Sequence, residues 1–350
     1  MSYSNINKSS LHMNTNIYTG NGGTQSITGT GFEPSLTWIK DRTEGNWHNL
    51  YDAVRTATKR IFPNTNGAEE TQAQGLTSFE SDGFSLGSNV DVNKSGNNYL
   101  SYNFKAGTTS GLSGGTITPS SYSINVQSGI GIYKYSGTGS SGTIAHGLGS
   151  AGAIPKMIIV KRLDSADNWC IYHYNIGNTR RIRFNSNDYY GTGSGYWNNT
   201  SPTSSVFSIG NSSEVNSSGG SYIAICFCEI AGYSKISSYV GNGSSSKPPF
   251  IMTGHKPSFI LMKRWDAADH WYIINNKTIG YNDANYGVYP NLDNNEYTGN
   301  VYIPRIYSNG FTLNTTDPQM NASGGQYMYM SIGQTLVGSN NIASTAYWYG

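Results

Sequence analysis

The chain repeats one set of sequence anchors three times in the same order. Each copy has a proline before an apolar strand that closes on lysine, then a tryptophan, then an Asn-x-Ser-Gly turn before an alternating strand. The prolines are Pro34, Pro155 and Pro257, the lysines are Lys40, Lys161 and Lys263, and the asparagines are Asn93, Asn216 and Asn321. The spacing of roughly 100–120 residues is that of a small domain rather than a solenoid repeat. The 350 residues therefore predict three tandem copies of one domain.

Within each copy, short segments rich in Ile, Val, Tyr, Phe and Trp alternate with turns of Gly, Ser and Asn. This pattern is typical of antiparallel sheets joined by hairpins. We predict an all-β fold of three homologous antiparallel β-sandwich domains, jelly-roll-like or immunoglobulin-like. The expected divisions are an N-terminal arm (1–14), repeat 1 (15–110), a Gly/Ser-rich linker (111–131), repeat 2 (132–233) and repeat 3 with an aromatic C-terminal tail (234–350).

One segment leaves the element type open, and the linker adds a further element. Leu50, Val54, Ala57 and Ile61 fall at helical spacing, but the equivalent stretches of the other two copies have the pattern of strands. We therefore favour a strand or an irregular strand pair there. The linker is expected to hold one more strand around residues 122–126.

Composition excludes several classes of protein. Charged residues are 12% of the chain and aromatic residues 13%, which argues against disorder, and a net charge of +2 gives no field for nucleic acid. No apolar run is long enough to span a bilayer, and the N-terminus lacks the pattern of a secretory signal. The 27 tyrosines predict a neutral, tyrosine-rich exterior suited to subunit packing and glycan contact.

The three cysteines are predicted to be small core residues. Cys226 and Cys228 share one face of a strand, which suits a disulfide poorly, and Cys170 lies far away in the sequence. A metal site at these thiols would also need histidines at ligand spacing, and there are none. We expect no disulfides, which fits assembly in a reducing cytoplasm.

The loop after each lysine-ended strand is the best candidate for a site. Asp164, Asp167, Asp266 and Asp269 are paired acids that could hold Ca²⁺ or a sugar. The favoured interpretation is a turn whose aspartates bond to nearby main-chain N–H groups, with the tryptophan in the core. The candidate glycan or partner contacts are Trp47, Trp169, Trp271, Tyr347, Trp348 and Tyr349. No cofactor is expected.

Nucleophilic or metal-dependent catalysis finds little support. The one G-x-S-x-G string, at residues 111–115, lies in the Gly/Ser-rich linker without the strand-to-helix context of a nucleophile elbow, and there is no H-E-x-x-H motif. We expect no enzyme, with a glycosidase carboxylate pair as the remaining alternative. The basic cluster of Arg180, Arg181 and Arg183 alternates on a strand, so it is interpreted as a solvated face or a contact to an acidic partner subunit.

Four stretches of the sequence resemble a known class of proteins. They are INKSSLHMNTNIYTGNGGTQSITGTGFEPSLTWIK, LTSFESDGFSLGS, YNFKAG and IAHGLGSAGAIPKMIIVKRL. Together they resemble repeat-bearing virion structural or tail-fibre-like proteins of marine tailed bacteriophages, of the cyanophage and pelagiphage type. The resemblance covers essentially the whole chain and is looser in the third copy. It implies a place in a virion, assembled in the host cytoplasm, and it assigns no catalytic residues.

The leading hypothesis is a structural protein on the virion exterior, a tail-fibre or receptor-binding component that contacts host surface glycan. A capsid decoration or head-fibre protein is the alternative, and a glycan depolymerase is the second alternative. The expected partners are other virion proteins and further copies of the chain, for example in a trimer. Neither nucleic acid binding nor membrane insertion is expected.

Overall fold

The computed structural model describes residues 5–149, 153–279, 282, 286–299, 301–302 and 304–335. Over these residues the protein is all-β, with several antiparallel sheets and helices of only three or four residues. The all-β class that the sequence predicts is therefore confirmed. The candidate contacts Tyr347, Trp348 and Tyr349 lie outside the described residues.

The strands follow one another along the chain in three groups. The first group is β1 (Met13–Thr19), β2 (Gln25–Thr28), β3 (Leu36–Asp41), β4 (Asn49–Asp52), β5 (Lys59–Arg60), β6 (Glu70–Thr71), β7 (Leu76–Glu80), β8 (Gly83–Leu86) and β9 (Asn98–Phe104). The second group is β10 (Ser121–Asn125), β11 (Ile130–Ser136), β12 (Gly142–Ala145), β13 (Pro155–Arg162), β14 (Cys170–His173), β15 (Arg180–Arg183), β16 (Gly191–Thr192), β17 (Val206–Ile209) and β18 (Ser221–Cys228). The third group is β19 (Ser234–Val240), β20 (Ile251–Met252), β21 (Lys256–Arg264), β22 (Tyr272–Asn275), β23 (Pro304–Tyr307), β24 (Gly310–Leu313) and β25 (Gln326–Gln334).

The helices are single turns between strands. The α-helical turns are α1 (Val90–Asn93), α2 (Ser194–Trp197), α3 (Ser213–Asn216), α4 (Asn276–Ile279) and α5 (Pro318–Asn321), and 3₁₀ turns lie at Ser9–Leu11 and Tyr174–Ile176. Turns α1, α3 and α5 occupy the same place in the strand sequence, directly before the last strand of each group. Their first N–H groups are capped by the side chains of Asn89, Ser212 and Asp317.

The same four-strand order occurs three times. Sheet 1 is β1-β9-β3-β4, sheet 2 contains β11-β18-β13-β14, and sheet 3 is β19-β25-β21-β22. Sheet 2 continues into β10 at one edge and into β15 and β16 at the other. In each case the two central strands are the proline strand that ends in lysine and the strand that carries the repeated tyrosine. In sheet 1 these strands pair from Leu36 with Phe104 to Asp41 with Tyr99.

The proline strands are buried on both faces because they lie between two layers of apolar side chains. In β13, Met157 and Ile159 face one core while Ile158 and Val160 face another. Successive side chains of a strand point to opposite faces, so a continuous apolar run is what such a position requires. The runs in β3 and β21 have the same division.

A small second sheet covers the outer face of each four-stranded arrangement. These covers are β2-β8-β7, β12-β17 and β20-β24-β23. In the first, Ile27 and Phe84 pack with Ile39 and Tyr99 of sheet 1, and separate clusters fill the other two layers. Each pair of layers is sandwich-like.

The inner faces of the three sheets meet in one shared core. It includes Leu36, Trp38, Leu100, Tyr102 and Phe104 from sheet 1, Ile132, Met157, Ile159, Ile223 and Ile225 from sheet 2, and Ile236, Phe259, Leu261, Met328 and Met330 from sheet 3. Rings from different sheets touch there: Tyr102 lies edge-on to Phe259 with ring centroids 5.0 Å apart, and Phe104 lies edge-on to Phe227 at 5.9 Å. The three sheets therefore depend on one another for burial.

The repeated asparagine bonds a Gly-rich turn to the helical turn beside it. Asn93 is fully buried; its Oδ1 accepts from the N–H of Asn21 at 2.9 Å, and its Nδ2 donates to the carbonyls of Gly23 and Gly87 at 2.6 and 2.8 Å. The same bonds recur at Asn216 with Thr138, Ser140 and Gly210, and at Asn321 with Asn242, Ser244 and Thr315. The anchor is thus a structural one, since it satisfies buried main-chain groups.

The repeated tyrosine has a second structural role in the same corner. The Tyr99 hydroxyl accepts from the N–H of Lys94 at 2.8 Å and donates to the carbonyl of Val90 at 2.9 Å, and the ring stacks on Tyr18 at 5.1 Å. The stacked pair recurs as Tyr135 with Tyr222 and as Tyr239 with Tyr327. The expected exterior position is wrong for these tyrosines, which are buried apart from the half-buried Tyr18, because main-chain partners satisfy the hydroxyls.

Other expectations about elements have mixed outcomes. Residues 50–61 form β4, turns and β5, so the helical alternative is wrong and the strand interpretation is confirmed. The strand expected in the linker is β10, which joins the edge of sheet 2. Part of the expected N-terminal arm is packed: Ile6 lies in the shared core, and the N–H of Ser9 donates to Gln334 Oε1 at 2.6 Å. The three cysteines are free and buried.

Candidate functional site at the junctions between the sheets

The three repeated lysines close the contacts between neighbouring sheets. Lys40, Lys161 and Lys263 are almost fully buried, and each ammonium donates to a main-chain carbonyl in another third of the chain. The acceptors are Asp293 at 2.8 Å from Lys40, Asn66 at 3.3 Å from Lys161 and Asn187 at 3.1 Å from Lys263. We call these contacts the 1–3, 2–1 and 3–2 junctions, after the sheet of the lysine and the third of the chain that supplies the carbonyl.

A main-chain hydrogen bond accompanies each lysine. The N–H of Glu296 donates to Arg42 at the 1–3 junction, that of Glu69 to Leu163 at the 2–1 junction, and that of Tyr190 to Trp265 at the 3–2 junction. In every case the acceptor lies two residues after the lysine and the donor three residues after the carbonyl that the lysine binds. The three junctions are therefore built in the same way, so their residues can be compared position by position.

Burial changes the acid–base behaviour of these lysines. It lowers the pKa of Lys40 and Lys161 to about 8 and that of Lys263 to about 7, because the charged ammonium loses water. Neighbouring aspartates raise the pKa and so offset part of this effect, for example Asp293 beside Lys40 and Asp269 beside Lys263.

Two of the three tryptophans proposed as surface contacts are buried in the shared core. Trp169 and Trp271 are each 1% exposed, and their indole N–H groups donate across junctions, to the carbonyl of Phe62 at 3.0 Å and to that of Arg183 at 2.9 Å. Neither can touch a glycan, so this expectation is wrong for both residues, and the core interpretation of the tryptophan is right. Trp47 is 44% exposed and lies edge-on to Phe62 at 5.0 Å.

The paired aspartates bond to neighbouring groups of the protein. Arg162 lies 2.9 Å from Asp164 and lowers the pKa of that carboxyl, and Arg264 lies 2.8 Å from Asp266 and 3.8 Å from Asp269. Asp167 accepts from the N–H of Asn168 at 2.9 Å. Among the described residues no three acidic, histidine or cysteine side chains converge as metal ligands would. Three of the four carboxylates therefore lie beside arginines, and Asp167 accepts from a main-chain N–H as the favoured interpretation describes.

The 3–2 junction carries an aromatic and cationic group that sequence reasoning missed. The guanidinium of Arg180 lies over the ring of Tyr190 at 4.4 Å and over that of Trp265 at 5.7 Å, and Tyr189 lies edge-on to Tyr190 at 5.9 Å. We call these four residues the Arg180 cluster. Its signal was available in the sequence as two adjacent tyrosines at 189–190 with no counterpart in the other copies.

The other arginines of the predicted basic strand are paired. Arg183 lies 2.6 Å and Arg181 3.5 Å from the buried carboxylate of Glu214. The interpretation of this strand as a solvated face is therefore wrong for these two, because they hold turn α3 against the strand. Arg180, on the same strand, forms no ion pair with any described residue and donates weakly to the carbonyl of Ile176 at 3.5 Å.

The shared core contains a small cavity. It has a volume of about 20 Å³ and is surrounded only by apolar and aromatic side chains, among them Trp38, Phe104, Trp169, Phe227 and Phe259. A cavity of this size and composition offers no polar partner to water or to a substrate. Within the described part of the chain, every helix is too short to cross a bilayer.

Comparisons with known proteins give a family and no function. No curated protein and no solved structure matches the chain. One family model matches residues 8–335, which include all three junctions. The chain therefore belongs to the family described as a domain of unknown function, DUF7483.

Proposed function

We propose that the chain consists of three tandem copies of one β-sandwich unit, with the second and third spanning 132–233 and 234–350. The sequence anchors support this proposal because each falls at the same structural position in every copy: the lysine at a junction, the asparagine in a turn and the tyrosine in a stacked pair. The first unit is 15–110, and residues 111–131 connect it to the second while supplying β10.

In this proposal the protein is a structural component of a bacteriophage virion, displayed on the particle exterior as a tail-fibre or receptor-binding part that contacts host surface glycan. The observation that carries it is the use of the buried lysines: all three bond to main-chain carbonyls and close junctions. Such a scaffold holds exposed loops in fixed positions, which is what a binding platform needs. The resemblance of the quoted stretches to marine phage structural proteins supports the virion assignment.

A glycan-cleaving activity is not part of the proposal. The repeated acids that could have served as a carboxylate pair bond to Arg162 and Arg264 instead. The expected homo-oligomer, for example a trimer, stays a prediction. So does the location in the virion after assembly in the host cytoplasm.

A capsid decoration protein is the second candidate, and one surface favours it. Phe250, Met252 and Tyr307 are 48%, 66% and 38% exposed on the outer sheet of the third unit, and the rings of Phe250 and Tyr307 lie 5.6 Å apart. The register of the first unit places Ser26, Thr28 and Glu80 at the same positions. An exposed apolar patch at positions that are polar in the first unit is typical of attachment to another protein surface.

Immunogold labelling of purified particles tests the proposal. Antibody to the chain should mark the tail or its fibres, and the purified chain should compete with particles for adsorption to host cells. Labelling of the head without competition would favour decoration. Absence of the chain from purified particles would contradict both candidates.

A further inference from the structure

We propose that the Arg180 cluster binds an anionic saccharide, one that carries a carboxylate or a phosphate. The inference rests on the proposed glycan contact and names its site. The cluster lies where the loop of residues 185–190 meets the end of β21, so it is built from two different thirds of the chain.

The cation at this place forms no ion pair with any described residue. Seven other arginines of the described chain form ion pairs with carboxylates: Arg42, Arg55, Arg60, Arg162, Arg181, Arg183 and Arg264. Arg180 forms none with any described residue. Its guanidinium is held in place by the faces of Tyr190 and Trp265, which attract a cation and leave its charge unneutralised. A fixed, unpaired guanidinium is suited to bidentate bonds with a carboxylate or phosphate.

An exposed aromatic ring contacts the tyrosine over which that cation lies. Tyr189 is 58% exposed and stands edge-on to Tyr190, with an angle of 87° between the ring planes. The indole N–H of Trp265 is buried and has no acceptor among the described residues. An exposed ring can stack on the C–H face of a sugar while the guanidinium holds its acidic group. This combination points to a saccharide with a negative charge rather than to an inorganic ion.

The other two junctions provide an internal comparison. At the 2–1 junction the positions of Tyr189, Tyr190 and Trp265 are occupied by Ala68, Glu69 and Leu163, and at the 1–3 junction by Asn295, Glu296 and Arg42. At the latter, Arg42 lies 2.7 Å from Glu296, so its charge is neutralised within the protein. All three junctions hold sheets together, but among the described residues only the 3–2 junction combines an exposed aromatic ring, Tyr189, with a cation that forms no ion pair. A junction can therefore form without the aromatic rings and the cation of the Arg180 cluster.

Calorimetric titration of the full chain tests the inference with three probes. Trigalacturonic acid presents carboxylates, glucose 6-phosphate presents a phosphate, and maltotriose is neutral. At least one anionic probe should bind with a dissociation constant below about 1 mM, and maltotriose should bind at least about tenfold more weakly. Which of the two anionic probes binds shows whether the site prefers a carboxylate-bearing or a phosphate-bearing glycan.

Substitutions locate the site. Arg180→Gln and Tyr189→Ala should each weaken binding of the anionic probe by about tenfold or more. Lys156 and Tyr174 give a matched control: this cation also lies over an exposed tyrosine, at 5.1 Å, but Glu229 neutralises it at 2.7 Å. Lys156→Gln and Tyr174→Ala should leave binding unchanged. Circular dichroism should show that all four variants keep the wild-type spectrum.

Three outcomes overturn the inference: no binding of either anionic probe, equal binding of maltotriose, or full binding by Arg180→Gln. If the chain labels particles but fails these titrations, the virion proposal stands and this site is wrong. If the titrations succeed but particles lack the chain, the site stands and the virion proposal is wrong.

Discussion

Single polar residues stabilise this protein mainly by bonding to its main chain. Lys263 donates to the carbonyls of Asn187 and Asp269, and Asn93 satisfies three main-chain groups. An unsatisfied buried carbonyl costs about 1–3 kcal/mol, so such residues are needed wherever loops are buried.

Replacing Lys263 with methionine should reveal its depressed pKa. The folded protein releases this proton at a pH of about 7, whereas an unfolded lysine releases it at a pH of about 10.4. Between these values the unfolded chain binds more protons, so this contribution to stability rises with pH and is lost as pH falls through about 7. The unfolding free energy of the wild type minus that of Lys263→Met should therefore increase by about 1–3 kcal/mol from pH 7 to pH 9.

Urea denaturation at the two pH values measures this difference. Lys247→Met, at an exposed position, is the control and should stay within about 0.5 kcal/mol of wild type at both values. A Lys263→Met difference that stays constant or shrinks with rising pH would show that the lysine is not held as the structure indicates.

At the scale of the secondary-structure elements, close contacts between turns hold the strands and helical turns in place. The Gly-rich turn after β1 approaches the segment after α1 so closely that a Cβ on Gly20 would lie 2.3 Å from the carbonyl oxygen of Lys94. Gly137 and Gly241 make the same close approach in the other two units. These glycines are required because main chain, which cannot move aside, occupies the space of a side chain.

Gly20→Ala and Gly23→Ala form a matched pair three residues apart. Gly20→Ala should lower the unfolding free energy by about 2 kcal/mol or more because the turn and α1 must separate. At Gly23 the nearest atom to an added Cβ is 3.9 Å away, so Gly23→Ala should change it by less than about 0.5 kcal/mol. Thermal denaturation of both variants decides this, and equal midpoints would contradict the packing described for the turn.

Strands and turns could be predicted from the sequence because their signals are local. Alternation, proline at strand starts and Gly-rich turns correctly indicated an all-β chain, including β10 and the strands at 49–60. The favoured interpretation of the loop placed its tryptophan in the core, which is right for Trp169 and Trp271. The sequence could not indicate that their indole N–H groups bond to carbonyls in another third of the chain. The Arg180 cluster is likewise non-local: Trp265 is distant in sequence from the strand of Arg180.

At the scale of the whole molecule, one core serves three sheets. Phe259 of β21 touches Tyr102 and Phe104 of β9, so a change in the third unit reaches the first directly. The apolar runs in β3, β13 and β21 carried the signal for burial on both faces. They could not indicate that the second face of all three strands meets in the same place.

Phe259→Ala should destabilise all three sheets together, by about 3–5 kcal/mol. Hydrogen exchange followed by mass spectrometry should show faster exchange in β3 and β13 as well as in β21, since the shared core loses one of its largest side chains. Phe250→Ala, at a 48% exposed position in the same third, should leave exchange in all three strands unchanged. Faster exchange confined to residues 234–335 would show that the sheets unfold independently.

The closed arrangement of three junctions in one polypeptide also affects how the protein can change over time. In a ring of three identical chains, any mutation appears at every junction at once. Here each junction is encoded by its own stretch of sequence, so a mutation alters one and leaves two as they were. The salt bridge of Arg42 with Glu296 and the aromatic Arg180 cluster occupy equivalent places and are chemically unlike. One junction can therefore change its chemistry while the other two continue to hold the sheets together.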